Sequence, residues 1–163
     1  MNHTLQLFLL LSALAAAQGS CPNGFVAVGN QCYLFSVEIG DKSSWDLARD
    51  ACHLWDADLA VLDMDCNDNH HLITYIINKG WTSQLMWVGA SDKAQEGMWM
   101  WIDGRPLDMT SNLWRAGEPT LGSSYDCAHL GYYNYDYPRI HLYDNSCSKD
   151  LYYICHYGAH ARV

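Results

Sequence analysis

The chain has 163 residues, 50% of them hydrophobic, with seven cysteines and a formal net charge of −9. That length makes one domain with at most a short appendage, and so apolar a composition excludes a disordered or collagen-like chain. Nine Lys and Arg against eighteen Asp and Glu leave no basic stripe, which argues against nucleic acid as a partner and against capture by an anionic membrane surface.

Residues 5–17 form an apolar run too short to span a bilayer, followed by small residues, as in a secretory signal. The small–x–small rule places cleavage before Gln18, and equally well before Ser20. Residues 1–17 (or as far as 19) are therefore read as a leader, 21–157 as the domain and 158–163 as a short tail. The expectation is a secreted, extracellular protein with no membrane insertion. In an oxidising compartment the cysteines are disulfide candidates rather than catalytic thiols. Seven is odd, so at least one is free or pairs with another molecule, and spacing alone does not choose among the pairings.

Between Cys21 and Cys32, Pro22-Asn23-Gly24 and Gly29-Asn30 are turn signals around a short apolar run, which predicts a hairpin. Ser43-Ser44-Trp45-Asp46 reads as a capping box opening a helix with Trp45, Ala48, Cys52 and Trp55 on its apolar side. A second helix begins near Asp65-Cys66-Asn67, carries Leu72, Ile73, Ile76 and Ile77, and stops at Gly80. After Trp81 the period shortens. Apolar runs at 85–90, 98–102, 125–130, 140–143 and 151–157, separated by turn residues, read as antiparallel strands. Residues 103–124 show little periodicity, and so long an irregular stretch in a compact domain is usually functional. The fold class is α+β, with helices early, a sheet late and a long excursion before the last strands.

Five motifs in register give this layout a more specific meaning. They are Cys21-Pro22-x-Gly24-Phe25 with Cys32-Tyr33-x-Phe35, Trp87-Val88-Gly89-Ala90, Trp99-x-Trp101-x-Asp103-Gly104-x-Pro106-Leu107, and Trp114-x-x-Gly117-Glu118-Pro119. Together they resemble the long form of the C-type lectin-like domain over essentially the whole chain after the leader. The resemblance implies two helices packed on antiparallel sheets with a long loop region, stapled by Cys21–Cys32, Cys52–Cys155 and Cys127–Cys147. It leaves Cys66 unpaired, as a capped thiol or as a route to a covalent homodimer. Cys66 and His70 stand four apart, but no second convergent pair makes a soft-metal site with them.

Lectins of this family hold sugar through a calcium ion, which takes six to eight oxygens, two of them from the sugar. By resemblance, Glu118 and Asp144 are retained ligands, and Pro119 is the family's cis proline in the Glu118-Pro119-Thr120 motif. Thr120, Tyr125 and Tyr143 stand where the family has an amide, a carboxylate and an amide, so calcium binding is expected to be weak or atypical. At the accessory position Asp92, Glu96 and Asp126 match, while Leu121 occupies an acidic place. Glu118-Pro119-Thr120 leans toward the family's mannose-type motif without naming a sugar.

The segment Tyr132-Tyr133-Asn134-Tyr135-Asp136-Tyr137-Pro138 is a separate recognition candidate, since sugars stack their C–H faces on aromatic rings; Tyr133 and Tyr135 are the residues singled out. The same composition suits protein contact. No zinc-protease motif, nucleophile elbow or phosphate loop is present, so the chain is not read as an enzyme. The expected function is glycan recognition on microbial or other cell surfaces, similar to the soluble lectins of invertebrate innate immunity, which agglutinate their targets. The alternative is a scaffold that has lost sugar and calcium chemistry and binds protein partners.

Overall fold

The computed structural model describes residues 21–62, 66–120, 122, 124–132 and 140–158, with the side chains at 66–68 outside that set. The leader, Leu121, Tyr133, Tyr135, the Cys66 thiol and all but Gly158 of the tail lie outside the described residues.

The chain opens with a hairpin of β1 (Val26–Val28) and β2 (Gln31–Phe35), turned at Gly29, whose φ of 61° suits glycine. A short 3₁₀ turn (Ser36–Glu38) leads to α1 (Trp45–His53), β3 (Ala57–Leu59) and α2 (Cys66–Asn78). Then come β4 (Met86–Ser91), β5 (Met100–Trp101), β6 (Cys127–Gly131), β7 (His141–Asn145) and β8 (Tyr152–Tyr157). The sheet order is β1-β2-β8-β4-β6-β7, with β3 paired to β8 and β5 to β4.

Four local expectations are corrected. The sheet is not wholly antiparallel: β8 slots between β2 and β4 and runs parallel to β4, with Met86 opposite Tyr152. Ser44 does stand at the α1 N-cap, but its side chain makes no cap bond. The Cys147 carbonyl accepts the Trp45 N–H instead, at 2.9 Å, and the Asp46 carboxylate receives Lys93 at 2.6 Å. Trp55 falls beyond the end of α1 and is half exposed, whereas Trp45, Ala48 and Cys52 are buried as expected. Tyr125 and Asp126 precede β6 rather than beginning it, because the Tyr125 N–H bonds the Gly122 carbonyl at 3.1 Å and the Asp126 carbonyl accepts the Asp92 N–H at 3.2 Å.

Among the described residues three disulfides staple the fold: Cys21–Cys32, Cys52–Cys155 and Cys127–Cys147. The core lies on both faces of β4. On one side Leu72, Ile76, Val88, Trp101, Leu142 and Ile154 pack together; on the other are Trp45, Leu59, Trp87 and Tyr153. Gly89 allows the crossing. A methyl there would meet Ile102 at 2.8 Å and the Leu59 carbonyl at 2.9 Å.

Candidate functional site

β7 positions the site. Its inner residue Leu142 is buried, and its backbone accepts the Arg115 N–H at 3.1 Å while donating to the Leu113 carbonyl at 2.8 Å. These bonds lay residues 113–115 along the outer edge of β7. The chain then turns through Gly117 (φ 91°), closed by the Glu118 N–H on the Arg115 carbonyl at 2.9 Å. The Glu118–Pro119 bond is cis, as the motif implied. Residues 118–120 therefore meet Asp144, which lies on β7 opposite Ala128.

The contact is direct. The Thr120 backbone N–H donates to Asp144 Oδ2 at 2.6 Å and the Thr120 hydroxyl donates to the same oxygen at 2.7 Å. The Glu118 carboxyl interacts with that of Asp144, and one of its own oxygens, Oε2, is buried without a partner. Burial first, then the neighbouring Asp144 carboxyl, push the Glu118 carboxyl up from its ordinary 4.5 to about 7; the Arg115 guanidinium pulls the other way. Arg115 is a residue that motif reading missed. Its only sequence signal is a cation between Trp114 and Glu118 in the loop motif.

The two tyrosines expected at ligand positions differ in kind. Tyr125 is 48% exposed on the rim. Tyr143 is only 5% exposed, with its ring stacked on His129 at 5.6 Å and the Arg115 guanidinium 5.8 Å from its centroid. Its ring face packs within the fold, between His129 and the Arg115 guanidinium. His129 beneath it faces the Leu130 carbonyl through Nδ1 at 3.1 Å and the Asn145 amide through Nε2 at 3.3 Å. Burial holds the His129 imidazole below its usual value.

At the accessory position Asp92 is almost fully buried. Its Oδ2 accepts the Gly97 N–H at 2.8 Å, while its Oδ1 and the Oδ1 of Asp126 are buried without partners. Burial and the charges of Asp126 and Asp144 raise the Asp92 carboxyl. Partial desolvation, then the charges of Asp92, Asp126 and Asp144, raise Glu96. The two positions thus share one negative field.

The Glu118 and Asp144 donor set does not fit a calcium ion caged by protein alone. Among the described residues no three His, Cys, Asp or Glu side chains converge to hold a metal. At Glu118 and Asp144 the protein offers two carboxyls, and Thr120 already occupies Asp144 Oδ2. Such a pair falls well short of six to eight oxygens.

Residues 41–157 match the Lectin C-type domain family, and the chain belongs to it. It is 31% identical over 139 residues to human C-type lectin domain family 17, member A, covering 83% of this chain and 32% of that protein. Across three of the curated relatives the chain spans between 32% and 59% of their length. The mouse scavenger receptor C-type lectin carbohydrate-recognition domain superposes with a TM-score of 0.65 at 27% identity, covering 83% of this chain and 94% of that one. The C-type lectin domain of murine dendritic cell inhibitory receptor 2, solved in complex with N-glycan, superposes with a TM-score of 0.68 at 23% identity, covering 84% and 98%. The C-type lectins it matches form a non-enzymatic family, and this chain carries their domain. Among the described residues no helix is long and apolar enough to cross a membrane.

Proposed function

We propose that the chain is a secreted lectin that recognises glycans on microbial or other cell surfaces, with weak or atypical calcium dependence. The observation that carries this reading is the docking of Glu118-Pro119-Thr120 on Asp144 in a C-type lectin domain. Glu118, Asp144 and Thr120 offer acceptors and a hydroxyl to sugar, Tyr125 offers an exposed ring on the rim, and Tyr133 and Tyr135 belong to the adjacent tyrosine-rich segment. The buried oxygens of Asp92 and Asp126 support a low-affinity cation role at the accessory position. Agglutination needs two sites per lectin molecule, and a homodimer joined through Cys66 would supply them.

Glycan-array and whole-bacterium binding, with calcium and with chelator, tests this. Binding that is lost in Glu118→Ala and Asp144→Ala supports the reading, and no binding in either condition overturns it.

One observation favours the scaffold alternative. Leu54 and Trp55, at the end of α1, are neighbouring large apolar side chains that are 85% and 51% exposed. On that reading Trp55→Ser abolishes capture of a protein partner while the Glu118 and Asp144 variants retain it.

A further inference from the structure

One end of the Asp144 contact is rigid. Asp144 lies within β7, paired to β6 through five register positions from Cys127 to Gly131, and β6 begins at the Cys127–Cys147 disulfide. The other end is a loop. Beyond the Glu118 and Gly122 turn bonds, the described hydrogen bonds that fasten residues 118–120 to the sheet are those to Asp144. Thr120 supplies two of them, from its backbone and its hydroxyl, to one carboxylate oxygen across 24 residues of chain.

We propose that Thr120 is a positioning residue whose clamp on Asp144 does the fastening that the calcium donor set of this site cannot do, so that the recognition rim is formed in the ion-free protein. The purpose of that rim rests on the glycan-binding reading; the clamp does not. A hydrogen bond to a charged acceptor is stronger than a neutral one, and two on one oxygen fix both the distance and the direction of the loop. The threonine at 120 is then a replacement function rather than a defective ligand. Its hydroxyl donates to the carboxylate, where an ion would have to be bound by it.

Amide hydrogen exchange of the mature protein in chelator, and again with calcium chloride, tests the clamp. The Thr120 amide and its neighbours should be protected in chelator and change less than about twofold on adding calcium. Thr120→Val, which removes one donor, should speed exchange at the Glu118 and Thr120 amides by about tenfold, the loss of one net hydrogen bond. Thr120→Ser, which restores the hydroxyl, should return the wild-type rate. Unchanged amides of β4 and β8 would show that the Val variant is folded. If those amides also lose protection, Asp144→Asn is the deciding variant, and its weaker neutral acceptor must give the same local increase.

Loop amides that are unprotected in chelator and slowed only by calcium would overturn the proposal. So would a folded Val variant, or failing that the Asn variant, with wild-type protection. A protected loop in a protein that binds no glycan would instead overturn the lectin reading alone.

Discussion

Arg49 on α1 and Asp58 on β3 form a two-pronged ion pair, Nε to Oδ1 at 3.0 Å and a terminal nitrogen to Oδ2 at 3.0 Å. Asp58 is fully buried, also accepts the Leu59 N–H at 2.8 Å, and has His53 Nε2 at 3.3 Å. The pair ties the first helix to the sheet edge that leads into the core. Removing one partner of a buried pair costs about 3–5 kcal/mol. Arg49 is 35% exposed, so water shares the load and the cost falls to the bottom of that range or below it. Arg49→Met should therefore destabilise by about 2–3 kcal/mol. Asp58→Ala, which also orphans the Leu59 N–H, should cost as much or more. Urea unfolding of the oxidised protein measures both.

Gly89→Ala should be among the most damaging small substitutions. The added methyl meets a side chain at 2.8 Å and a backbone carbonyl at 2.9 Å, and the carbonyl cannot rotate away. Overpacking of this kind costs about 1–3 kcal/mol, and contact with backbone puts it at the upper end. Gly117→Ala is the control for positive φ without crowding, since nothing lies within 4 Å of a methyl there. A Gly89→Ala protein as stable as wild type would contradict the packing.

The three bridges should not be equal. In the chain-entropy picture, a bridge across 103 residues, Cys52–Cys155, contributes about 4.7 kcal/mol, and one across 11 residues, Cys21–Cys32, about 2.8. Replacing Cys52 and Cys155 by Ala should lower the melting temperature more than replacing Cys21 and Cys32. Scanning calorimetry of the two double variants orders them directly.

The Glu118 carboxyl gives ion-free stability a pH dependence of definite sign. Its value is raised from 4.5 to about 7, so between those limits the folded chain holds a proton that the unfolded chain releases. Stability from this group is fully present below pH 4.5 and is lost as pH rises through 7. His129 works in the opposite direction, because burial lowers it and acid must charge it. The difference between wild type and Glu118→Gln cancels the histidine. Wild type and Glu118→Gln should be nearly equal in stability at the acid end, and the glutamine variant should become the more stable of the two as pH rises through the window. Urea midpoints in chelator at several pH values read this; a wild type that gains on Glu118→Gln with rising pH would overturn the assignment.

Much of the fold could be read from local chemistry. Gly29-Asn30 announced its hairpin, Trp45, Ala48 and Cys52 announced the buried side of α1, and Gly80, with a φ of 72°, ended α2 as expected. Glu118, Pro119 and Asp144 were findable because a loop motif and a strand end have fixed spacing from Trp114 and Cys147. Other features were hidden. β3 has three residues around a buried aspartate, and an acidic centre reads as a turn until Arg49 is seen across from it. The cap box failed because Ser44 and Asp46 carry the right letters, yet the Cys147 carbonyl arrives from the far end of the chain to meet the Trp45 N–H.

The same division holds at the site. The sequence by itself determined the lectin scaffold and which ligand types are missing, since both follow from residue identity and spacing. Only the tertiary structure decided what the substitutes do. Tyr143 turns its ring onto His129 and Arg115, Tyr125 stays on the rim, and Thr120 bonds Asp144. Those outcomes depend on which groups distant strands bring within hydrogen-bond reach, and a hydrogen bond acts over about 3 Å while sequence separation carries no distance.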